Sequence, residues 1–231
     1  MIRAVMFAIL LLLPVAASAA DRTIGIGSFD RLRVEGPFRV SVATGSPRAT
    51  VSGDRRTIDN VDVRVDGSTM VVRMGANGWG EQPSAAEAPV TVTLSTPSLV
   101  SSTVIGPAAV TIERMKGTRL DLSIGGTGII AVAAAEGDQL NATVIGTGTM
   151  TIGGRAGRAR LLTNGPGTID AGALASDDLV VRLDGPGETR AQARFNAQVV
   201  NTGLGRVTVV GNAKCSIKAA AGGPVSCGPK L

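Results

Sequence analysis

The sequence predicts an all-β fold, a parallel β-solenoid in which each coil uses about 20 residues. Three observations lead to this prediction. Gly-x-Gly phrases such as GTG, GPG and GLG recur at intervals of 18–20 residues. Apolar and polar residues alternate on both sides of each phrase, which is the period of a strand and not of a helix. Glycine accounts for 31 of 231 residues, and strand-favouring Val, Ile and Thr are abundant.

The first 20 residues, MIRAVMFAILLLLPVAASAA, are typical of a secretory signal peptide. Arg3 supplies the positive start, residues 4–13 form the apolar core, and an Ala-Ser-Ala cleavage site lies at 17–19. The apolar run is about half the roughly 20 residues that a membrane span requires. We therefore expect an exported protein, periplasmic or at the cell surface, whose mature chain of residues 21–231 is one domain without a membrane span.

Residues 21–94 follow the alternation less regularly and form the β-rich amino-terminal part. The stretch LRVEGPFRVSV alternates apolar and polar residues around one glycine, Gly36. The stretch VDVRVDGSTMVVRM predicts two strands joined in a hairpin at Asp66-Gly67, because Asp-Gly is a strong turn signal. VTVTL at 90–94 predicts another strand, and no helix is expected after the signal peptide.

The segment at 75–89, GANGWGEQPSAAEAP, lacks alternation and predicts a loop. We expect this loop to protrude, and limited proteolysis to cut there first. Trp79, with Glu81 and Gln82 beside it, is a candidate ligand contact. The alternative interpretation is that Trp79 covers an edge of the core.

Residues 95–231 hold the regular coils, each lying on the previous one at the strand spacing of about 4.8 Å. We interpret the glycines as stacked corners, where positive φ or close backbone approach favours glycine. A dinucleotide fingerprint would need a third glycine and a following helix, and these phrases continue into strand patterns. Aligning the coils predicts that Asp170 neighbours Arg190 and that Glu188 neighbours Arg206. The corner glycines are Gly106, Gly126, Gly128, Gly146, Gly148, Gly165, Gly167, Gly185, Gly187, Gly203 and Gly205.

The phrases FDRLRVEGPFRVSVATG and VSGDRRTIDNVDVRVDGSTMVVRM, with the serial Gly-x-Gly phrases, resemble the GIN-domain family. Its members are exported bacterial proteins described as head domains of autotransporter adhesins. The resemblance runs from about Phe29 to Gly228 and consists of glycines and alternating apolar residues. It implies a right-handed parallel β-solenoid and an adhesin-like role, and it supplies no catalytic residues.

The absence of histidine restricts the chemistry that this chain could perform. A Ser-His-Asp triad, a Cys-His pair and a His-ligated metal site are all excluded. Carboxylates remain, but Asp170, Asp184 and Glu188 occupy different columns of the repeat, and Asp177-Asp178 is interpreted as a polar turn. We expect no catalytic, cofactor-binding or metal-binding residues.

Charge and aromatic content narrow the choice of partners. The net charge is +5, yet four Phe and one Trp offer few stacking platforms for nucleic acid, which an exported chain rarely meets. Arg155, Arg158 and Arg160 are interpreted as a solvated face that attracts anionic envelope polymers. The expected partner is therefore an envelope or extracellular polysaccharide or a surface protein.

The expected function is that of a non-enzymatic envelope protein, an adhesin-like or scaffold module that binds through the solenoid surface. Two alternatives remain open: a carbohydrate-active β-helix enzyme that acts on acidic polysaccharide, and a structural solenoid that self-associates through its end coils. The sequence leaves the oligomeric state undetermined.

Cys215 and Cys227 are the only cysteines, and they lie near the carboxyl terminus of a chain that is expected to be exported. Gly222-Gly223 follows Gly203 by 19–20 residues, which predicts one more, partial coil. A terminal coil has one neighbour and frays unless it is tied down. We expect a disulfide that closes this coil, the alternative being two buried thiols.

Overall fold

The structure is a computed structural model that describes residues 20–75 and 90–229. It is a β-solenoid of about 6 turns with about 20 residues per turn. The elements are β1 Ala20–Ile24, β2 Arg31–Glu35, β3 Phe38–Thr44, β4 Arg48–Gly53, α1 Arg55–Asp59, β5 Val61–Asp66, β6 Thr69–Met74, β7 Val90–Thr96, β8 Ser101–Ile105, β9 Ala109–Gly126, β10 Ile129–Gly146, β11 Thr149–Asn164, β12 Thr168–Asp184, β13 Glu188–Asn201, β14 Arg206–Val210, β15 Lys214–Ala219 and β16 Val225–Gly228. Each long strand from β9 to β13 holds the end of one coil and the start of the next.

The coils from β8 onward stack in parallel and in chain order. Ile130 of β10 pairs with Val110 of β9 on one side and with Met150 of β11 on the other, a register that matches the glycine alignment. The stack ends at β15 and β16, which pair with β13 and β14. The predicted continuous solenoid from about residue 95 is confirmed.

The amino-terminal strands join the same stack, but in an order that differs from the chain order. β2 lies between β6 and β8, and β3 lies between β7 and β9, all in parallel pairing. The coil at 31–44, with Gly36 at its corner, is therefore inserted between the coil formed by β6 and β7 and the coil that begins at β8.

Antiparallel strands cover the amino-terminal end of the stack. β4 pairs antiparallel with β7, β1 with β4, and β5 with β6. The hairpin between β5 and β6 turns at Gly67, where φ is +61°, so the predicted hairpin is confirmed.

The prediction of no helix after the signal peptide is wrong, because α1 occupies residues 55–59. Asp54 caps it by accepting a hydrogen bond from the Arg56 amide at 2.9 Å, and Ile58 is buried against the core. A helix of five residues is too short to display a 3.6-residue period, so sequence periodicity could not reveal it. No helix in the described ranges is long and apolar enough to cross a bilayer.

Alternate residues on both sides of each corner form the core, as the periodicity predicts. Val104, Ile124, Val144 and Leu183 are all fully buried in one inward column. The same column carries Thr163, whose hydroxyl lies 2.9 Å from that of buried Thr189. These two hydroxyls are thus paired, which avoids the cost of an unsatisfied buried group, whereas the buried Ser102 hydroxyl has no hydrogen-bond partner.

Candidate functional site

The first glycine of five of the six corners has a backbone conformation that other residues rarely adopt. At Gly146, φ is +110°, and an added Cβ would lie 2.8 Å from the Gly126 carbonyl oxygen of the previous coil. Conformation and space therefore both favour glycine. Five first-column glycines have φ between +88° and +125°: Gly106, Gly126, Gly146, Gly165 and Gly185.

The second glycine of each corner has no room for a side chain, although its φ is not in the left-handed region. An added Cβ on Gly167 would lie 2.8 Å from the Gly148 oxygen, 2.9 Å from the Gly146 oxygen and 2.6 Å from Val144 Cγ1. Stacking accounts for this column without any ligand. Its members are Gly128, Gly148, Gly167, Gly187 and Gly205.

Gly203 departs from its column because its φ is not positive. The step from Gly185 to Gly203 is 18 residues, the shortest in the series. Buried Asn201 accepts a hydrogen bond from the Gly203 amide at 3.1 Å and donates one to the Gly205 oxygen at 2.8 Å. The asparagine side chain thus supports the corner of a shortened coil.

The predicted ligand residues Trp79, Glu81 and Gln82 lie outside the described residues. In the chain, the segment that carries them follows β6 and precedes β7. Their role as a ligand contact stays a prediction.

The predicted disulfide is confirmed: Cys215 of β15 and Cys227 of β16 are bonded, with their Cα atoms 6.6 Å apart. It links the two strands of the last coil, each of which pairs with one neighbouring strand in the described part of the chain. Both cysteines pack against the core with part of their surface exposed.

The carboxylates named from the sequence are dispersed. The predicted register is confirmed, because Asp170 pairs with Arg190 and Glu188 with Arg206. Asp170 Oδ1 accepts a hydrogen bond from the Gly172 amide at 2.9 Å. Within residues 20–75 and 90–229, neither register pair forms a salt bridge, and no three acidic or cysteine side chains could hold a metal ion.

Asp184 has the electrostatics of a stable carboxylate, not of a general acid. A hydrogen bond from the Thr202 hydroxyl, followed by one from Arg182 Nε at 2.8 Å, lowers the pKa of Asp184 below its ordinary value of 3.8. A catalytic acid at neutral pH needs the opposite shift.

A concavity lies on the flank of the carboxyl-terminal coils, at the bend that follows the strand after each glycine corner. It has a volume of about 520 Å³, and Arg155, Arg190 and Arg194 line it together with Asp177. We call it the arginine groove. Small residues, among them Gly172 and Ala193, also line it.

Two register irregularities accompany the arginine groove. Ala171 pairs with Ala191, but the next pair is Ala175 with Gln192, so residues 172–174 of β12 have no partner in β13. Further along, Asp177 alone faces Arg194 and Phe195, which is the two-against-one arrangement of a β-bulge. The shortened coil therefore opens a notch on the flank of an otherwise regular stack.

Two other depressions have a more balanced charge. One is lined by Arg158, Asp178, Asn196 and Lys214, and the Asn196 amide donates to Asp178 at 2.8 Å. The other lies near the amino-terminal end, where arginines are paired with carboxylates, as Arg73 is with Asp62 at 3.0 Å.

The sequence pattern indicates Arg155 as part of a basic face, but no local pattern associates it with Arg190 and Arg194. The glycine spacing does indicate where the groove lies. The step after Gly185 is 18 residues, which marks the coil that lacks residues at this bend. Which side chains flank the notch depends on register shifts, and these are visible only in the folded chain.

The geometry defines a class of protein: a disulfide-closed parallel β-solenoid with a basic groove on its flank. The pattern described as "Putative auto-transporter adhesin, head GIN domain" matches residues 28–213. The chain belongs to this family, which confirms the resemblance read from its sequence.

Solved structures show the same fold at low sequence identity. A putative adhesin from Bacteroides fragilis is 18% identical, with a TM-score of 0.82 over 93% of this chain and 98% of that one. A putative adhesin from Parabacteroides distasonis is 17% identical, with a TM-score of 0.67 over 90% and 96%. A putative lipid binding protein from the same species is 17% identical, with a TM-score of 0.66 over 92% and 97%. No curated protein matches the sequence.

Proposed function

We propose that this protein is a non-enzymatic, adhesin-like module of the cell envelope that binds its partner on the solenoid surface. Residues 1–20 are a cleaved signal peptide, and residues 21–231 form one domain delivered to the periplasm or the cell surface. The description of the family as an adhesin head and the adhesin names of similar structures support the adhesin-like role.

The arginine groove is the observation that carries the proposal. Its volume of about 520 Å³ lies within the range of roughly 300–1,000 Å³ that is typical of ligand sites. Its three arginines lie on the strands β11 and β13, which hold side chains more rigidly than loops do. A basic concavity with its arginines on strands is suited to holding a ligand.

An array of envelope and extracellular polysaccharides and surface proteins, probed with the mature protein, tests this function. The same samples are analysed for new reducing ends. We expect retention of a specific ligand without product. Shortened polysaccharide chains would instead identify the carbohydrate-active enzyme.

One observation favours a second candidate, self-association through the last coil. Ile217 of β15 pairs with fully buried Val199, yet 45% of Ile217 is exposed because no further strand covers it in the described part of the chain. Light scattering across a range of protein concentrations tests this candidate. A strictly monomeric mature protein would exclude it, and Ile217→Lys should dissociate any assembly formed at this edge.

A further inference from the structure

We propose that the arginine groove is a binding site for a polysaccharide that carries carboxylate groups, held by Arg155, Arg190 and Arg194. This inference rests on the proposed binding function and adds a site and a ligand class to it.

The groove carries three arginines against two nearby carboxylates, Asp177 in its lining and Asp170 beside Arg190, so its net charge is positive. In the described part of the chain, none of its three guanidinium groups lies within 4.0 Å of a carboxylate oxygen. Asp177 is the one carboxylate among the lining residues. Elsewhere, arginines such as Arg64 and Arg182 do form ion pairs.

The charge of the whole chain has the same bias. Residues 149–229 carry nine arginines and lysines against five carboxylates, whereas the described residues 20–75 and 90–148 carry twelve against eleven. The carboxyl-terminal coils therefore attract anions more strongly than the amino-terminal coils do.

Two of the arginines have contacts that orient them. The Arg194 guanidinium lies over the Phe195 ring, 4.8 Å from its centroid, a favourable cation–π distance. Arg190 passes over Gly172 beside the Asp170 carboxylate, since an added Cβ at Gly172 would lie 3.1 Å from both Arg190 Nε and Asp170 Oδ1. Because side chains that are already oriented lose less entropy on binding, these contacts favour ligand capture.

The shape of the groove favours a chain over a flat surface. Arg155 lies on β11, and Arg190 and Arg194 lie on β13, two coil steps away, so the groove extends roughly 10 Å along the solenoid axis. A concave, elongated notch admits a glycan chain better than a membrane surface. Guanidinium forks match the planar geometry of carboxylates, with two parallel hydrogen bonds for each pair.

The test measures binding of the mature protein to polygalacturonate oligosaccharides by calorimetry at about 0.05 M and about 0.5 M NaCl, since exposed charges are screened at high salt. Neutral dextran, dextran sulfate and anionic phospholipid vesicles are the comparison probes. We expect binding to polygalacturonate that weakens at high salt, and none to dextran.

The triple substitution Arg155→Gln, Arg190→Gln and Arg194→Gln should weaken binding by at least about 30-fold, because it removes three charge-assisted contacts. The matched control removes the same amount of charge from exposed arginines on other strands. Its affinity for polygalacturonate should stay within about 2-fold of the unsubstituted protein, because salt screens charges that lie far from the ligand. Its substitutions are Arg39→Gln, Arg48→Gln and Arg114→Gln.

A substitution that is expected to strengthen binding keeps the test informative if the triple variant folds poorly. Asp177→Asn removes the carboxylate from the groove and should strengthen binding several-fold. Asp138→Asn changes an exposed carboxylate in an earlier coil and should have no effect.

The outcomes separate this inference from the proposed function. Equal losses in both triple variants would mean unspecific attraction and overturn the inference, as would a preference for sulfate polymer or vesicles over polygalacturonate. If a ligand found in the array binds the triple groove variant as tightly as the unsubstituted protein, the inference is overturned and the proposed function still stands. Cleavage of polygalacturonate that depends on the groove arginines would refute the non-enzymatic function and support the site.

Discussion

Gly167→Ala tests whether close packing of coils, and not backbone conformation, accounts for the second glycine column. The φ of Gly167 is outside the left-handed region, so alanine meets no conformational penalty there. Its Cβ would, however, lie 2.8 and 2.9 Å from two carbonyl oxygens and 2.6 Å from Val144 Cγ1. The substitution therefore isolates the steric effect.

The expected loss follows from these distances. Ordinary contact begins at 3.4 Å, so the neighbouring coil must move by about half an ångström. Overpacking of this kind costs about 1–3 kcal/mol. The adjacent hydrogen bond from the Thr168 amide to the Gly148 oxygen, now 2.9 Å, would weaken as well. Alanine also reduces the conformational entropy of the unfolded chain, which offsets about 0.4–1 kcal/mol of this loss. The free energy of unfolding should therefore fall by about 2 kcal/mol.

Guanidinium unfolding followed by circular dichroism measures this loss, and two glycine variants calibrate it. Gly25→Ala has open space and no left-handed φ, so it should change stability by less than about 0.5 kcal/mol. Gly222→Ala has open space but a φ of +79°, so it should cost about 1 kcal/mol. If Gly167→Ala unfolds at the same denaturant concentration as Gly25→Ala, steric stacking does not explain the column.

Two further predictions concern the disulfide and one carboxylate. Replacing Cys215 and Cys227 with Ser should destabilise the last coil by about 3 kcal/mol, given the 12-residue separation of the two cysteines. Amide hydrogen exchange should then become faster in the last coil and stay slow between Gly106 and Gly205. Because the pKa of Asp184 is lowered, its stabilising contribution is present above the unfolded pKa near 3.8 and is lost as pH falls through the folded pKa. Thr202→Val removes the main cause, so an NMR titration should show the pKa of Asp184 rising toward 3.8; an unchanged value would contradict the assigned hydrogen bond.

The sequence alone determined the coil architecture, because stacking imposes the same local demands on every coil. The glycine spacing located the corners, and the two-residue alternation located the inward side chains, such as Ile130 and Met150. The spacing of Cys215 and Cys227 within a partial coil indicated the disulfide. All of these are features that a chain repeats or concentrates locally.

Only the tertiary structure decided how non-repeating segments are placed. The coil at 31–44 is inserted between strands that follow it in the chain, and no local pattern encodes that order. The arginine groove likewise depends on register shifts between β12 and β13, which bring Arg155 and Arg190 from separate coils to one notch. Periodicity in the sequence indicates which side chains point inward. The alignment of irregular bends depends instead on contacts between residues that are distant in the chain. The candidate site lies at such a bend, so the sequence alone could not locate it.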